Sequence, residues 1–263
     1  MASLPCGLVR HHLPEAANCA PTAKARFMAV LSVTSLVKRF GTKVAVNGLS
    51  MEVGGGEVVG LLGPNGAGKS TTFMCLGGLL RPDSGAIALD GVALGPDRGR
   101  SIALIPETPE VYAMLTVWEH LVFVARSCKL ANGWEERAAD LLARFDMLQH
   151  RDEVGQALSK GMRQKTLVAA TVLANTPVVL LDEPMIGLDP LGQRELRQII
   201  ADLRTTGIVV MISTHMLEQA QAICDRVIIM KEGREIAGGT FAELHERSGE
   251  TGSAEDVFLE LTR

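Results

Sequence analysis

The chain has 263 residues, 47% of them hydrophobic, and a formal net charge of −4. This length suits one large α/β domain or two small ones, and the apolar content excludes an intrinsically disordered chain. No basic stripe stands out, which argues against a general nucleic-acid-binding protein. The five cysteines are scattered and include no C-x-x-C pair, a pattern typical of free thiols in a reducing compartment.

Residues 1–27 have no apolar periodicity and no motif, which predicts a disordered N-terminal extension. Patterned sequence begins at Met28, and we expect this residue to be the biological start. The pair His11-His12 is interpreted as part of a solvated tail and not as a metal site, because no further ligands follow at metal-site spacing.

No segment predicts a membrane-spanning helix. The longest uncharged run, Thr166–Leu181, contains Asn175 and Pro177. It is shorter than the about 18–20 residues that a helix needs to cross a bilayer. A link to a membrane would therefore come through a partner protein.

Strands and helices alternate along the patterned part of the chain. Apolar alternation and short apolar runs predict strands at Ala29–Lys38, Met51–Val53, Glu57–Leu62, Ser101–Ile105, Val178–Leu181 and Ile208–Ile212. Hairpins are predicted at Ala86–Leu94 and Arg226–Ala237, and helices at Ser70–Leu80, Leu191–Thr205, Met216–Ile223, Phe241–Arg247 and Ala254–Leu261. This order predicts an α/β domain whose mainly parallel sheet is flanked by helices, with an antiparallel β portion beside it.

The sequence changes to helical periodicity between residues 116 and 176. Apolar residues recur there at three- and four-residue steps, as at Trp118 and Leu121. We interpret residues 108–177 as a helical subdomain inserted into a single domain that covers residues 28–263.

A glycine-rich stretch lies between the predicted strand Glu57–Leu62 and the helix that follows it. It fits the phosphate-binding pattern G-x-x-x-x-G-K-[ST] through Gly63, Pro64, Asn65, Gly66, Ala67, Gly68, Lys69 and Ser70, with Thr71 next. Glycines let the backbone wrap an anion with inward N–H groups, and the helix N-terminus adds partial positive charge. Lys69 would reach the β- and γ-phosphates of a nucleotide, and the Ser70 hydroxyl would hold Mg²⁺.

Two acidic residues end the buried strand Val178–Leu181. A charged pair at the carboxyl end of a parallel strand lies where open α/β sheets place their ligand chemistry. Asp182 offers a hard oxygen ligand for Mg²⁺, and Glu183 is suited to accept a proton from an attacking water. The alternative is an ordinary acidic pair in a strand-to-loop turn. His215 follows the next strand and could donate a hydrogen bond to a γ-phosphate oxygen, although a lone histidine is more often structural.

In this order the motifs resemble the nucleotide-binding subunit of ATP-binding cassette (ABC) transporters, from about Ala29 to the end of the chain. The glycine stretch resembles Walker A, and Val178–Glu183 resembles Walker B with the catalytic glutamate. Gly187-Leu188-Asp189-Pro190 resembles the D-loop, and His215 resembles the switch histidine. Leu158-Ser159-Lys160-Gly161-Met162 stands where the family has its signature, written LSGGQ.

The resemblance implies a P-loop NTPase of the ABC type that hydrolyses ATP with Mg²⁺ as its cofactor. Two copies, expected as a homodimer, would enclose two ATP molecules head to tail, each between Walker A of one subunit and the signature of the other. Ser159 is the expected N-cap of the signature helix, whose N–H groups would face the γ-phosphate. The implied site residues are Lys69, Glu183 and His215 for catalysis, Ser70, Asp182 and Glu107 for the metal, and Phe40, Gly63 to Thr71, Ser159 and Gly161 for the nucleotide.

Four residues, in three motifs, depart from the family pattern. Phe40 stands where an aromatic residue, often tyrosine, stacks on adenine, and stacking needs no hydroxyl group. Glu107 stands in place of the Q-loop glutamine and adds negative charge near Mg²⁺ and ATP. In the signature, Lys160 and Met162 replace a glycine and a glutamine. Lys160 either adds a cation near the phosphates or faces solvent, and we favour solvent.

The leading interpretation is the ATPase subunit of a membrane transporter, docked on separate transmembrane subunits at the cytoplasmic face of the cell membrane, with no nucleic-acid partner. Apolar residues of Val111–Trp118 either lie near that dock or pack only inside the helical subdomain. Glu107 and the ending Glu255–Leu261 resemble ABC-2-type exporters in particular.

The main alternative is a soluble ABC ATPase that acts on nucleic acid or the ribosome. Chromosome-type relatives separate Walker A from the signature by long coiled coils, whereas only about ninety residues lie between Ser70 and Ser159 here. Ribosome-type relatives carry two cassettes, and this chain has one. A P-loop kinase or GTPase is disfavoured, because no N-K-x-D guanine motif is present and because the Asp182-Glu183 pair with His215 favours hydrolysis.

Overall fold

The computed structural model describes residues 29–248. The predicted extension at residues 1–27, the expected start at Met28 and the predicted helix Ala254–Leu261 lie outside the described residues. Within the described part, no helix combines the length and the apolar character needed to cross a membrane.

Ten strands and seven α-helices follow one another in the described residues. In chain order they are β1 (Val30–Phe40), β2 (Lys43–Gly54), β3 (Val58–Leu62), α1 (Lys69–Gly77), β4 (Ser84–Leu89), β5 (Val92–Ala93), β6 (Ile102–Ile105), α2 (Val117–Ser127), α3 (Trp134–Arg144), α4 (Lys160–Ala174), β7 (Val178–Asp182), α5 (Pro190–Thr205), β8 (Val209–Thr214), α6 (Leu217–Ile223), β9 (Arg226–Lys231), β10 (Arg234–Gly239) and α7 (Phe241–Ser248). Each predicted strand, hairpin and helix within these residues is present, with bounds that differ by a few residues in most cases.

The one large difference is β2, which spans 12 residues where the sequence predicted only Met51–Val53. It pairs with β1 through a ladder that contains register shifts. Its buried residues Val46 and Leu49 are three positions apart, not two, because the strand changes phase near Gly48. A bulge of this kind interrupts the apolar alternation by which a strand is recognised.

The six-stranded sheet has the order β10-β9-β3-β8-β7-β6, and only β10 runs antiparallel to its neighbour. A separate antiparallel sheet has the order β2-β1-β4-β5. Parallel strands that are covered on both faces are continuously apolar, and all five residues of β3 and of β7 are buried. The carboxyl ends of β3, β7 and β8 meet at one edge of the larger sheet, and the three sequence motifs begin there.

The larger sheet separates two apolar cores. On one face, Val59 and Leu61 of β3 pack with Phe73 of α1 and with the antiparallel sheet. On the other face, Val58 and Leu62 pack with the remaining helices. The strand that leads into the glycine-rich loop is therefore held from both sides.

Three helices, α2, α3 and α4, lie between β6 and β7, as the periodicity predicted. Thr116 caps α2 by accepting the Glu119 backbone N–H, and the Glu119 carboxylate accepts the Thr116 N–H in return. Val117 and Leu121 on the inner face of α2 are buried in the helical core. The domain boundaries at residues 108–177 remain a prediction.

Candidate nucleotide-binding site

A cleft of about 530 Å³ opens at the edge of the sheet where the motifs meet. Its walls combine the glycine-rich loop and the start of α1 with the β1–β2 turn and the loops after β6, β7 and β8. It is lined by Phe40, Lys43, Ala45, Asn65, Gly66, Gly68, Lys69, Ser70, Thr71, Glu107, Glu183, Ile186 and His215. The structure thus brings residues from five separate stretches of sequence to one cavity.

The glycine-rich loop is closely packed against its neighbours at two positions. Gly63 has φ 152° and Gly68 has φ 107°, values that disfavour any residue with a side chain. A Cβ at Gly63 would lie 2.3 Å from the Met230 carbonyl oxygen, and one at Gly68 would lie 2.3 Å from that of Ala45. These two glycines let the loop approach the surrounding strands, so that α1 begins at Lys69 and points its N-terminus into the cleft.

Lys69 is buried, and its ammonium group folds back on the loop. Nζ donates to the carbonyl oxygen of Gly63 at 2.7 Å and to that of Pro64 at 3.3 Å. Burial lowers the pKa of Lys69, and the carboxylates of Glu183, Asp182 and Glu107 oppose this effect without cancelling it. A buried cation of this kind gains stability when an anion such as phosphate arrives.

Asp182 and Glu183 are both buried at the end of β7, and Ser213 of β8 holds them. The Ser213 hydroxyl donates to the Asp182 carboxylate, and it accepts the backbone N–H of Glu183 at 3.1 Å. Glu183 has φ 46°, in the left-handed region that non-glycine residues seldom adopt. This turn separates the two carboxyl groups, so Glu183 lines the cleft while Asp182 does not.

His215 also lines the cleft, next to Glu183. Its Nδ1 lies 2.7 Å from Glu183 Oε1, and its backbone N–H donates to the same oxygen at 2.9 Å. The sequence predicted a hydrogen bond from His215 to phosphate and did not predict this contact with Glu183. The two contacts can form together only while both ring nitrogens carry a proton, because carboxylate and phosphate oxygens both accept and each contact needs an N–H donor.

Phe40 lies at the open end of the cleft, with 49% of its surface exposed. The Lys38 ammonium is 5.4 Å from the centre of its ring. An exposed ring at the mouth of a phosphate-binding cleft suits a planar base.

The oxygen groups predicted to hold Mg²⁺ are near one another without forming a closed site. Ser70 and Glu107 line the cleft, and the Asp182 carboxylate lies behind its wall. No group of three or more His, Cys, Asp and Glu side chains forms a metal cluster within residues 29–248. Ser70, Asp182 and Glu107 stay the predicted holders of a Mg²⁺ ion whose remaining ligands would be phosphate oxygens and water, the usual arrangement for this ion.

The predicted signature residues Ser159 and Gly161 do not line the cleft of their own chain. Ser159 is exposed and caps α4 as predicted, since its hydroxyl accepts the Met162 backbone N–H at 3.2 Å. Ser159 thus fixes the start of this 15-residue helix outside the cleft of its own chain.

Comparison with known proteins identifies the family. A profile described as ABC transporter matches residues 46–186, which is more than half of the chain. The chain belongs to the ABC transporter ATP-binding family. As an ABC ATPase it binds and hydrolyses ATP.

The relatives of this ABC ATPase align with it over most of their length. The lipopolysaccharide export system ATP-binding protein LptB of Haemophilus influenzae is 38% identical over 81% of this chain and 91% of its own. The ABC-type transporter ATP-binding protein EcsA of Bacillus subtilis is 37% identical over 90% of this chain and 98% of its own. A solved structure of the ATP binding subunit of an ABC transporter has a TM-score of 0.84, 35% identity, and covers 89% of this chain and 100% of that one.

Four residues of the ABC ATPase site were not predicted. Lys43, Ala45 and Ile186 line the cleft, and Ser213 orients the Asp182-Glu183 pair. Lys43 follows directly on the Gly41-Thr42 turn after Phe40. Its closeness in sequence to Phe40, a predicted nucleotide-binding residue, was the one feature that could have indicated a place in the cleft. Ala45 and Ile186 are apolar residues of types that occur throughout the chain, and nothing in the sequence distinguishes them.

Proposed function

We propose that this ABC ATPase drives an exporter as a homodimer, docked on separate membrane subunits at the cytoplasmic face of the cell membrane. The observation that carries the proposal is the separation of two half-sites. One half is the cleft around Lys69, and the other is the exposed N-terminus of α4 at Ser159, which lies outside that cleft.

Two copies related by a two-fold axis complete both half-sites at once. The cleft of one copy would face Ser159 and Gly161 of the other, and the symmetry makes the two composite sites identical. Free N–H groups at the start of α4 and the helix dipole favour an anion, which suits the γ-phosphate of ATP. Closure of the dimer over ATP and its opening after hydrolysis would supply the mechanical step.

Within the cleft we assign roles from position. Phe40 stacks on the base, while the loop from Gly63 to Thr71 and the Lys69 ammonium hold the phosphates. Glu183 accepts the proton of the attacking water, and His215 holds Glu183 and reaches the γ-phosphate through Nε2. Mg²⁺, held by Ser70 and Asp182 with Glu107 near it, would neutralise charge on the phosphate oxygens.

An exposed apolar patch supports a dock for another protein. The aromatic patch consists of Tyr112, Met114 and Phe123, which are 59%, 74% and 49% exposed. The Tyr112 and Phe123 rings meet edge to face with their centres 5.5 Å apart. Val117, which the sequence placed in the same candidate stretch, is instead buried in the core. Clustered exposed apolar side chains are typical of protein–protein contact sites.

The aromatic patch is connected to the signature through backbone contacts. Gly155 N donates to the Leu115 oxygen at 2.8 Å, and Gln156 N donates to the Ala113 oxygen at 3.0 Å. A Cβ at Gly155 would lie 2.4 Å from the Tyr112 oxygen, so the two segments touch. A membrane subunit seated on the patch would therefore be linked to Leu158 and Ser159, which follow directly.

Export is favoured by the relatives. LptB is by name part of a lipopolysaccharide export system. That name describes LptB, and it does not identify the substrate of the present protein. The alternative of an ATPase acting on nucleic acid or the ribosome finds no support among these relatives, because the names of LptB and EcsA are those of an export system and a transporter.

The dimer is tested with Glu183→Gln, which is expected to trap ATP. Light scattering would measure the mass of the full chain with ATP and Mg²⁺, with ADP and Mg²⁺, and without nucleotide. We expect the mass to double with ATP only. A chain that binds ATP and stays monomeric would refute the head-to-tail arrangement.

The dock is tested by placing a photo-crosslinking amino acid at Met114 or at Leu79, in the native host. Leu79 is a matched control because it is 68% exposed and lies next to the C-terminal end of α1. We expect an adduct with an integral membrane protein from position 114 and none from position 79. Equal adducts from both positions would remove the aromatic patch from this role.

A further inference from the structure

Two of the departures from the family pattern have opposite charges. Glu107 adds a carboxylate to the cleft, and Lys160 adds an ammonium to the start of α4. Both side chains are exposed in a single subunit. In the proposed homodimer the cleft of one subunit faces the start of α4 of the other, which brings these two departures to the same composite site.

The Lys160 side chain is supported along its aliphatic part. Its Cγ, Cδ and Cε each lie 3.4 Å from the place that a Cβ at Gly187 would occupy. Gly187 has φ 86°, and its oxygen would lie 2.7 Å from a Cβ at Gly161. The start of α4 and the D-loop are thus in close contact, and the aliphatic part of Lys160 lies across their junction. Because this side chain is already restricted, it loses less conformational entropy when its ammonium group binds a partner.

The Lys160 ammonium has no carboxylate partner in the described part of the chain, whereas Lys165, one helical turn and a half further, does. Lys165 Nζ lies 3.1 Å from Asp189 Oδ1. This ion pair lowers the pKa of Asp189, against a smaller opposing effect of burial. Of the two lysines on this part of α4, Lys160 alone therefore retains an unmatched charge.

The residues that line the cleft offer a triphosphate no surplus of lysine over glutamate. Among its lining residues, the lysines Lys43 and Lys69 are matched by the glutamates Glu107 and Glu183. Glu107 lines the same cleft as Lys69, so its carboxylate is part of the environment that a phosphate group would enter. A triphosphate entering this cleft meets one more negative charge than it would beside a glutamine.

We propose that Lys160 acts in trans, by placing its ammonium between the γ-phosphate and Glu107 of the partner subunit in the closed dimer. The added charges of the two positions then compensate each other across the interface. This inference rests on the proposed homodimer and concerns one contact within it.

The experiment is a double-mutant cycle on the dimer, with every protein in the Glu183→Gln background. Lys160→Met removes the charge and keeps the stem, Lys160→Arg keeps both, and Glu107→Gln removes the opposite charge. Lys129→Met is the matched control, because Lys129 is exposed in the helical region and makes no ion pair there. Sedimentation would measure the dissociation constant of the dimer with ATP and Mg²⁺ at several NaCl concentrations.

We expect Lys160→Met to raise the dissociation constant about tenfold or more, as loss of a charge pair at an interface does. Lys160→Arg and Lys129→Met should change it less than about twofold, and the salt dependence should be weaker for Lys160→Met. With Glu107→Gln already present, the effect of Lys160→Met should fall to about threefold or less. ATP affinity of the monomer, measured at concentrations below dimerisation, should be the same with and without Lys160→Met.

Three results would overturn the inference. The first is a change in the dimer dissociation constant for Lys160→Met that is no larger than the change for Lys129→Met. The second is a loss of ATP affinity that Lys160→Met already causes in the monomer. The third is that the effects of Lys160→Met and Glu107→Gln on the dimer dissociation constant are additive. Each of these leaves the ATP-dependent dimer intact. Absence of any ATP-dependent dimer in the parent protein would instead reject the proposed function itself.

Discussion

Nδ1 of His215 lies 2.7 Å from Oε1 of Glu183, and the same oxygen accepts the backbone N–H of His215. The Glu183 carboxylate is thus held at one oxygen by both the backbone and the ring of a single residue. Glu183 is 6% exposed, so its orientation is set by these bonds and by the left-handed backbone at the same residue.

The first prediction concerns the base. Glu183→Gln should keep ATP binding and lower hydrolysis by roughly 10²–10⁴-fold, the usual contribution of a general base. The amide oxygen can still accept both bonds from His215, so the geometry is retained. Phosphate release and nucleotide affinity are the measurements, and the exposed Glu136→Gln is the control. Turnover near that of the parent would remove Glu183 from this role.

The second prediction concerns the phosphate lysine. Lys69→Ala should weaken ATP binding by about tenfold or more, because the phosphates lose a partly desolvated cation whose charge is stabilised by their arrival. Calorimetric titration of the monomer measures this affinity. Lys43→Ala, at the edge of the same cleft, should have a smaller effect. Unchanged affinity of Lys69→Ala for ATP would contradict the assignment of the loop.

The third prediction concerns Glu107. Glu107→Gln restores the residue that the family usually carries, and the variant should remain active, with turnover within about fivefold of the parent since the change only removes a charge beside the metal. The Mg²⁺ concentration for half-maximal activity should rise, because a carboxylate binds this ion better than an amide does. A variant without activity would show that the carboxylate itself is required.

The fourth prediction concerns Gly68. Gly68→Ala would place a Cβ 2.3 Å from the Ala45 oxygen at a residue with φ 107°, so strain and a clash with backbone both act. We expect the free energy of unfolding to fall by about 2 kcal/mol or more. Gly95→Ala is the control, because nothing lies within 4 Å of a Cβ there, and urea unfolding measures both variants. Equal stability of the two variants would show that the loop can move away.

The fifth prediction concerns pH. Burial raises the pKa of Glu57, but hydrogen bonds from Arg226 and from the Gly54 N–H outweigh this and hold the pKa below 4.5. A carboxylate whose pKa is lower in the folded state than in the unfolded state stabilises the folded protein at pH values above its unfolded-state pKa. This stabilisation is lost as the pH falls through its folded-state pKa. Glu57→Gln should therefore lower the free energy of unfolding near pH 7, by about 1 kcal/mol because water screens the pair.

Urea unfolding of the parent and of Glu57→Gln from pH 7 to pH 3 would test this. The difference between them should be constant above about pH 5 and shrink below 4.5. A difference that grows as the pH falls would reverse the sign of the argument.

Much of the fold was predictable because its elements follow single local rules. The strand β7 is a continuous apolar run, which is recognisable in the sequence. Once this strand is placed, the positions of Asp182 and Glu183 at its end follow. β2 was predicted too short because a bulge shifts its alternation between Val46 and Leu49, and pairing across strands decides such a shift.

The site likewise has parts that local motifs predict and parts that depend on how strands pair. Motifs and strand ends predicted the positions of Lys69, Glu183 and His215, and the fold brings these three residues to one cleft, while their catalytic roles stay predictions. Ser213 and the contact between Glu183 and His215 depend on how β8 lies beside β7, which no local pattern contains. Lys43 enters the cleft through the β1–β2 turn, whose direction is set by the pairing of the antiparallel sheet.

The strand β3 is held between two apolar cores, and this has a consequence for the energetics of recognition. Its amide hydrogens should be among the slowest to exchange with solvent in the molecule, since their opening requires both cores to separate. The loop that leaves this strand is thus anchored at its root before any nucleotide arrives. Little of the affinity for ATP should then be consumed in ordering the loop, which leaves more of it for the dimer closure proposed above.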